Sequence, residues 1–394
     1  MNRRAFVKGG AVAMFGAGMA PAWLARAAAG NTGGRRKVLV ALFQRGAADG
    51  LNVVVPYSDP AYYALRPTIA IAKKDVIDLD GQFGLHPSLT PLKKLWDEKQ
   101  LAIVHAAGSP DPTRSHFDAQ DYMESGTPGL KATADGWLNR ALTGREATSP
   151  VRAVGMGTIL PRALRGKNTA VAIASVPSFK VRDEKTATTF QQLYGADSAL
   201  SGAAKETFEA MRLLQSIPKP ELAAGVSYPG NALGRNLQQI AQLIKADVGL
   251  EVAFADMGGW DTHTNETQQL NGLLTQFGAA LGAFSQDMGD RMQDVVVVTM
   301  SEFGRTAKEN GNLGTDHGHA NVMFAFGGGV QGGKVYGKWP GVAVEQLYER
   351  RDLAVTTDFR DVLGELAAGH LRTSASAPVF PGYKTNPLGL LVRA

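Results

Sequence analysis

Seven short apolar runs rich in β-branched residues, spaced by stretches of helical periodicity, constrain this chain more than any other feature. The runs are Lys37 to Phe43, Leu101 to His105, Val151 to Gly155, Ala170 to Ser175, Glu251 to Asp256, Asp294 to Met300 and Val322 to Phe326. Continuous apolar character, rather than strict alternation, is the pattern of strands buried on both faces. Between them lie helical patterns at Leu89 to Lys99, Phe117 to Ser125, Gly136 to Leu142, Asn231 to Ala246, Glu266 to Gln293 and Phe359 to His370. Such alternation predicts an α/β fold: a doubly wound, mainly parallel sheet with helices on both faces. Residues 177–249 show no clear strand and are interrupted by Pro218, Pro220 and Pro229, which predicts a helical insertion into one domain spanning residues 30–394.

The first 29 residues follow a different logic. Arg3, Arg4 and Lys8 precede a Gly/Ala-rich apolar run to Leu24 and the small-residue segment Ala27-Ala28-Ala29, the order of a secretory signal peptide. The apolar run, roughly 16 residues, falls short of the ~20 that a bilayer span needs, so no stable membrane anchor is expected. Paired arginines followed by Phe6 resemble a twin-arginine (Tat) signal. The Tat translocase is then a partner during export, and the mature protein is periplasmic or secreted. Export of a folded chain also suits a metal enzyme loaded in the cytoplasm.

The leader accounts for most of the net charge. Lys plus Arg number 41 against 36 Asp plus Glu, and removing Arg3, Arg4, Lys8 and Arg26 leaves 37 against 36. A nearly neutral mature chain without a basic stripe excludes a nucleic-acid partner. The absence of cysteine excludes disulfides, thiolate nucleophiles and cysteine-ligated metal.

In open α/β sheets ligands bind beyond the carboxyl ends of strands, and polar residues gather there in four places. They are the segments 44–52, 109–121, 258–263 and 301–321, and they contain four of the seven histidines: His116, His263, His317 and His319. Imidazoles beside carboxylates point to one or two divalent ions, zinc favoured by the histidine count and manganese or calcium as alternatives. Asp261 and His263, two apart in an extended segment, face the same side. Asp316, His317 and His319 converge only if the chain bends at Gly318. Ser115, followed three residues later by Asp118, fits a helix N-cap, and a hydroxyl at that place equally fits a nucleophile. No Gly-x-Ser-x-Gly or His-Glu-x-x-His occurs, and Gly328 to Lys334 is followed by Val335, without the hydroxyl a P-loop requires, so it reads as a turn-rich hairpin.

Five segments carry a resemblance to a known family: Arg-Gly-x-x-Asp-Gly-Leu-Asn at 45–52, Ser-His-Phe-Asp-Ala-Gln-Asp at 115–121, Gly-Trp-Asp-Thr-His at 259–263, Ser-Glu-Phe-Gly-Arg-Thr at 301–306 and Thr-Asp-His-Gly-His at 315–319. The chain resembles the bacterial exported family called domain of unknown function 1501, grouped with the alkaline phosphatase and sulfatase superfamily. The resemblance implies a metal site to which Asp49, Asp261, His263, Asp316 and His317 contribute, with Ser115 as nucleophile. In a second alignment Glu302 replaces Asp316, and His317 or His319 supplies the later imidazole. Arg305 is then the catalytic arginine holding the substrate anion, with Arg45, Arg114 and His116 on the substrate side. Implied is an exported metal-dependent hydrolase of phosphate or sulfate esters, acting on a small-molecule or envelope ester. The alternative is an exported binding or scaffold protein that keeps the fold without turnover.

Overall fold

The computed structural model describes residues 35–144, 147, 149–177, 209–218, 221–373 and 378–392. The signal segment and part of the expected insertion lie outside these residues. All seven apolar runs are strands. In chain order the elements are β1 (Val38–Gln44), α1 (Gly50–Val53), β2 (Val54–Val55), α2 (Pro60–Leu65), β3 (Ile77–Asp78), β4 (Gly84–Leu85), α3 (Thr90–Asp97), β5 (Leu101–Gly108), α4 (His116–Ser125), α5 (Trp137–Arg140), β6 (Ala153–Met156) and β7 (Val171–Ile173). They continue with α6 (Ala232–Lys245), β8 (Val252–Met257), α7 (Glu266–Met288), β9 (Val295–Met300), β10 (Asn321–Gly327), β11 (Lys334–Tyr336), β12 (Thr357–Asp358) and α8 (Phe359–Gly369). Of the expected insertion, residues 177, 209–218 and 221–249 are described; 209–216 and α6 are helical, and the stretch between them from 221 to 231 is not.

The main sheet runs β11-β5-β10-β9-β1-β8-β6-β7, with β12 also paired to β5. Every pairing is parallel except the two made by β10, which runs antiparallel between β5 and β9. The period of two along β1 divides the core. Val38, Val40 and Leu42 face α3, α6 and α7, whereas Leu39, Ala41 and Phe43 face α5 and α8. Both faces of the sheet are therefore covered, as continuous apolar strands require. Gly328 to Lys334 does not close a hairpin, because β10 and β11 lie on opposite sides of β5.

This topology positions the site. The carboxyl ends of β1, β5, β8 and β9 share one edge of the sheet, and β10, running the other way, begins there at Asn321. Loops leaving β8 and β9, which flank β1 on either side, meet beyond its end. No helix among the described residues is long and apolar enough to cross a membrane.

Candidate metal centre

His116 is the first residue of α4, delivered by the loop leaving β5. Asp261 and His263 lie between β8 and α7. The chain there is not extended as expected but coiled by short bonds from the Thr262 and His263 amides to the Trp260 and Asp261 carbonyls, and both side chains still reach one place. His317 comes from the excursion between β9 and β10, where residues 304–306 pair with 316–319: Gly318 donates to the Gly304 carbonyl, Gly304 to His319 and Thr306 to Asp316, at 2.8, 2.8 and 2.9 Å. Glycine at 318 permits this approach, since a Cβ there would stand 2.3 Å from the Arg305 carbonyl group.

These elements bring three imidazoles and one carboxylate together. The Nε2 atom of His317 lies 3.0 Å from Nε2 of His116 and 3.0 Å from Nε2 of His263. Asp261 Oδ1 is 3.1 Å from His263 Nε2 and 3.2 Å from His317 Nε2, and Asp261 Oδ2 is 3.5 Å from His116 Nε2. Ligand atoms of His116, Asp261 and His317 all fall within 4.8 Å of one another, with His263 on the flank of that core.

The opposite ring nitrogens decide the protonation pattern. His116 Nδ1–H donates to Glu302 Oε1 at 2.8 Å, His317 Nδ1–H to the Arg114 carbonyl at 2.9 Å, and His263 Nδ1–H to Asp316 Oδ1 at 3.1 Å. A carbonyl can only accept, so neutral His317 carries its proton on Nδ1 and turns a bare Nε2 lone pair inward. Burial, with the nearby His116 and Arg305 charges, lowers the His317 pKa, against the pull of the Arg114 carbonyl and Asp261, and keeps it neutral. The bond to Glu302, against burial, raises that of His116. Nε2 atoms 3.0 Å apart repel unless a proton or a metal ion lies between them. Zinc–nitrogen bonds of about 2.0–2.1 Å place tetrahedral ligand atoms about 3.3 Å apart, close to the separations of 3.0 to 3.5 Å seen here. The donor set therefore fits a divalent ion, and the Nδ1 partners are the outer contacts that orient metal-binding histidines.

Glu302, Asp316 and Arg305 stand one layer behind. Glu302, 1% exposed, accepts from Gly46 N at 2.8 Å and Gln120 Nε2 at 2.9 Å as well as from His116. Burial pushes its carboxyl up, and these bonds overcome that and hold it below the ordinary range. Asp316 binds His263 and Asn310 Nδ2. The buried Arg305 donates Nη1 to Asp261 Oδ1 at 2.5 Å, Nε to Thr315 Oγ1 at 3.1 Å and Nη2 to the Thr315 carbonyl. Burial favours the neutral Asp261 carboxyl, but the Arg305 bond and charge outweigh it and keep Asp261 ionised. Phe303 stacks against His116 at 5.0 Å between ring centroids and forms the floor.

The remaining sequence-predicted residues fall elsewhere. Asp49 is buried in a two-bond pair with Arg66, at 2.5 and 2.9 Å, and its oxygens are directed to that guanidinium rather than to the histidines. His319 donates Nε2–H to the Ser109 carbonyl at 3.0 Å and lies beside Tyr348, outside the cluster. His116, expected on the substrate side, sits among the metal donors. Arg45 binds Asp256, Gln120 and Glu124, and Arg114 binds Asp352 and Glu349, so each guanidinium already faces carboxylates. Arg305, expected to grip substrate, is turned inward to Asp261. Ser115 occupies the N-cap position of α4, yet its hydroxyl makes no capping bond, and Asp118 pairs with Lys131 instead of completing a capping box. Gln120, Phe303 and Thr315 were visible in the quoted segments as residue types without assignable roles.

A family model described as "Protein of unknown function (DUF1501)" matches residues 36–379. Among proteins of curated function none matches the sequence. Solved structures similar to the chain include the PsFucS1 sulfatase from Pseudoalteromonas sp., at 13% identity and a TM-score of 0.42 over 95% of this chain and 77% of that one. The C-terminal periplasmic domain of EcEptC from Escherichia coli, a complex with Zn, is similar at 8% identity and a TM-score of 0.36 over 76% and 74%. The lipoteichoic acid synthase LtaP from Listeria monocytogenes is similar at 10% identity and a TM-score of 0.36 over 77% and 68%.

Proposed function

The chain belongs to this family of proteins of unknown function, and we propose that it is an exported metal-dependent hydrolase of phosphate or sulfate esters. One observation carries the reading: the Nε2 atoms of His116, His263 and His317 converge on the Asp261 carboxylate while their Nδ1 atoms are held by oxygen acceptors. His116, Asp261 and His317 would hold the ion, with His263 as fourth donor, and three imidazoles with one carboxylate favour zinc. A divalent ion there supplies Lewis acidity, neutralising charge on ester oxygens and acidifying a nucleophile. Around it, Glu302 fixes the ring of His116 and Arg305 fixes the carboxylate of Asp261. The first-turn amides of α4, uncapped by Ser115, offer the positive end of a ten-residue helix to an oxyanion. The Ser115 hydroxyl, half-buried beside His116, is the candidate nucleophile. The leader at 1–29 supports export by the Tat route.

The binding-protein alternative keeps one observation in its favour, namely that Arg45, Arg114 and Arg305 are all engaged by carboxylates and none is free to clamp a transferring group. Elemental analysis of protein purified from an exporting host, followed by turnover of aryl phosphates and aryl sulfates, separates the two. The hydrolase reading expects bound divalent metal and ester cleavage, both lost in His263→Ala. A metal-free protein that stays inert after addition of zinc, manganese or calcium would leave the binding-protein reading.

A further inference from the structure

Each donor in the centre is oriented by a contact behind it, and for His317 that contact is a main-chain carbonyl. A carbonyl is only as well placed as the loop that carries it, and the loop at residues 109–115 has no regular structure of its own. What holds it at Arg114 is distant in sequence. The Arg114 guanidinium donates Nε and Nη2 to Asp352 Oδ2 at 3.0 and 2.6 Å, and Nη2 also to Glu349 Oε2 at 2.7 Å. Asp352 is fully buried, and its position is set by a tight turn in which its amide donates to the Tyr348 carbonyl at 3.0 Å.

Two features indicate that the turn serves this contact. Glu349 and Arg350, at its tip, both have left-handed backbone angles, φ 51° and 55°, a conformation costing roughly 1–2 kcal/mol per non-glycine residue. Such strain persists only where surrounding contacts over-determine it. The same turn places Tyr348 against the ring of His319, whose Nε2–H holds the Ser109 carbonyl at the other end of the loop. The loop is thus pinned at Ser109 and at Arg114 by residues on or against one turn.

We propose that Asp352 is a positioning residue for the metal centre, acting through Arg114 to keep the Arg114 carbonyl on His317 Nδ1–H and so the His317 Nε2 lone pair on the ion. This rests on the metal-centre reading above. Loss of an outer contact of this kind typically weakens metal binding 10- to 100-fold. The experiment titrates zinc into the metal-free full chain against a chromophoric chelator and records the visible spectrum of the cobalt-substituted protein. It compares the parent with Asp352→Asn, Arg114→Met and the double variant. Arg114→Met removes the contact from a part-exposed side chain while keeping the carbonyl, so a folding failure of Asp352→Asn leaves the question answerable. Expected are a 10- to 100-fold loss of zinc affinity and a shifted cobalt spectrum in each soluble single variant, with no further loss in the double variant. Parent-like zinc affinity in the variants, or losses that multiply in the double variant, would overturn the positioning role alone. A parent chain that binds neither zinc nor cobalt would overturn the metal-centre reading, and this inference with it.

Discussion

Replacing Glu302 by glutamine tests whether the charge behind His116 tunes the centre. Glu302 Oε1 receives three N–H groups, from Gly46, His116 and Gln120, and Oε2 lies 3.2 Å from Ser301 Oγ. A glutamine can present its carbonyl to the same three donors and its NH2 to Ser301 Oγ, whose own hydrogen is accepted by the Gln44 carbonyl at 2.8 Å. None of the three existing donors is orphaned, so the main change is the loss of the negative charge, and a charge-assisted bond becomes a neutral one of roughly half the strength. Alanine would instead strand three donors at about 1–3 kcal/mol each and confound folding with binding. For Glu302→Gln the expected loss is 10- to 100-fold in zinc affinity, about 1.4–2.7 kcal/mol, with little change in the melting temperature of the metal-free protein. Chelator competition measures the first and thermal unfolding the second. Zinc affinity within twofold of the parent, at an unchanged melting temperature, would refute the argument that this carboxylate orients His116 for a cation.

Three further outcomes follow from buried contacts. Burial, with the Asp49 charge and hydrogen bond added, pushes the Glu266 carboxyl up from 4.5 to about 8, so the fold holds it protonated; its contribution is fully present below about pH 4.5 and is lost as pH rises through about 8. Glu266→Gln should therefore flatten the decline of the urea midpoint between those two values, and an unaltered slope would place the proton elsewhere. Gly318→Ala drives a methyl group to 2.3 Å from the Arg305 carbonyl group, which predicts a loss of roughly 1–3 kcal/mol with reduced zinc retention; parent-like denaturation and metal content would contradict it. Inorganic phosphate should bind the zinc-loaded protein and not the metal-free one by calorimetry, and equal affinity in both forms would point to a free cationic side chain that the arginine contacts do not leave.

The fold was legible because buried parallel strands and amphipathic helices are written in local composition. Elements of two residues, such as β2, β4 and β12, hold too little sequence to show a period and owe their existence to pairing with other strands. The centre was half legible. His116, Asp261, His263 and His317 could be found because titratable residues after strand ends are few. Their roles could not be ranked, because the decisive facts are pairings: Asp49 meets Arg66 in a buried pair, while Glu302 meets an imidazole 186 positions away. Asp352 gave no signal, since its charged run, Glu349 to Asp352, follows no predicted strand and it acts across 238 positions of sequence.

Those pairings also assign the source of positive potential at the centre. Arg305 is held by Asp261, Arg45 by Asp256 and Glu124, and Arg114 by Asp352 and Glu349. The charge of each guanidinium is matched or exceeded by its carboxylate partners, and it acts mainly as a rigid fork that fixes a carboxylate or a loop. On the hydrolase reading, an oxyanion arriving beyond the end of β1 would meet two attractive features, a divalent ion and the amino end of α4. Of these only the ion would carry full charge, the helix end contributing about half an elementary charge. Affinity for the anion and any chemistry upon it would then be tied to metal occupancy, and the arginines would influence both through the geometry of Asp261 and His317.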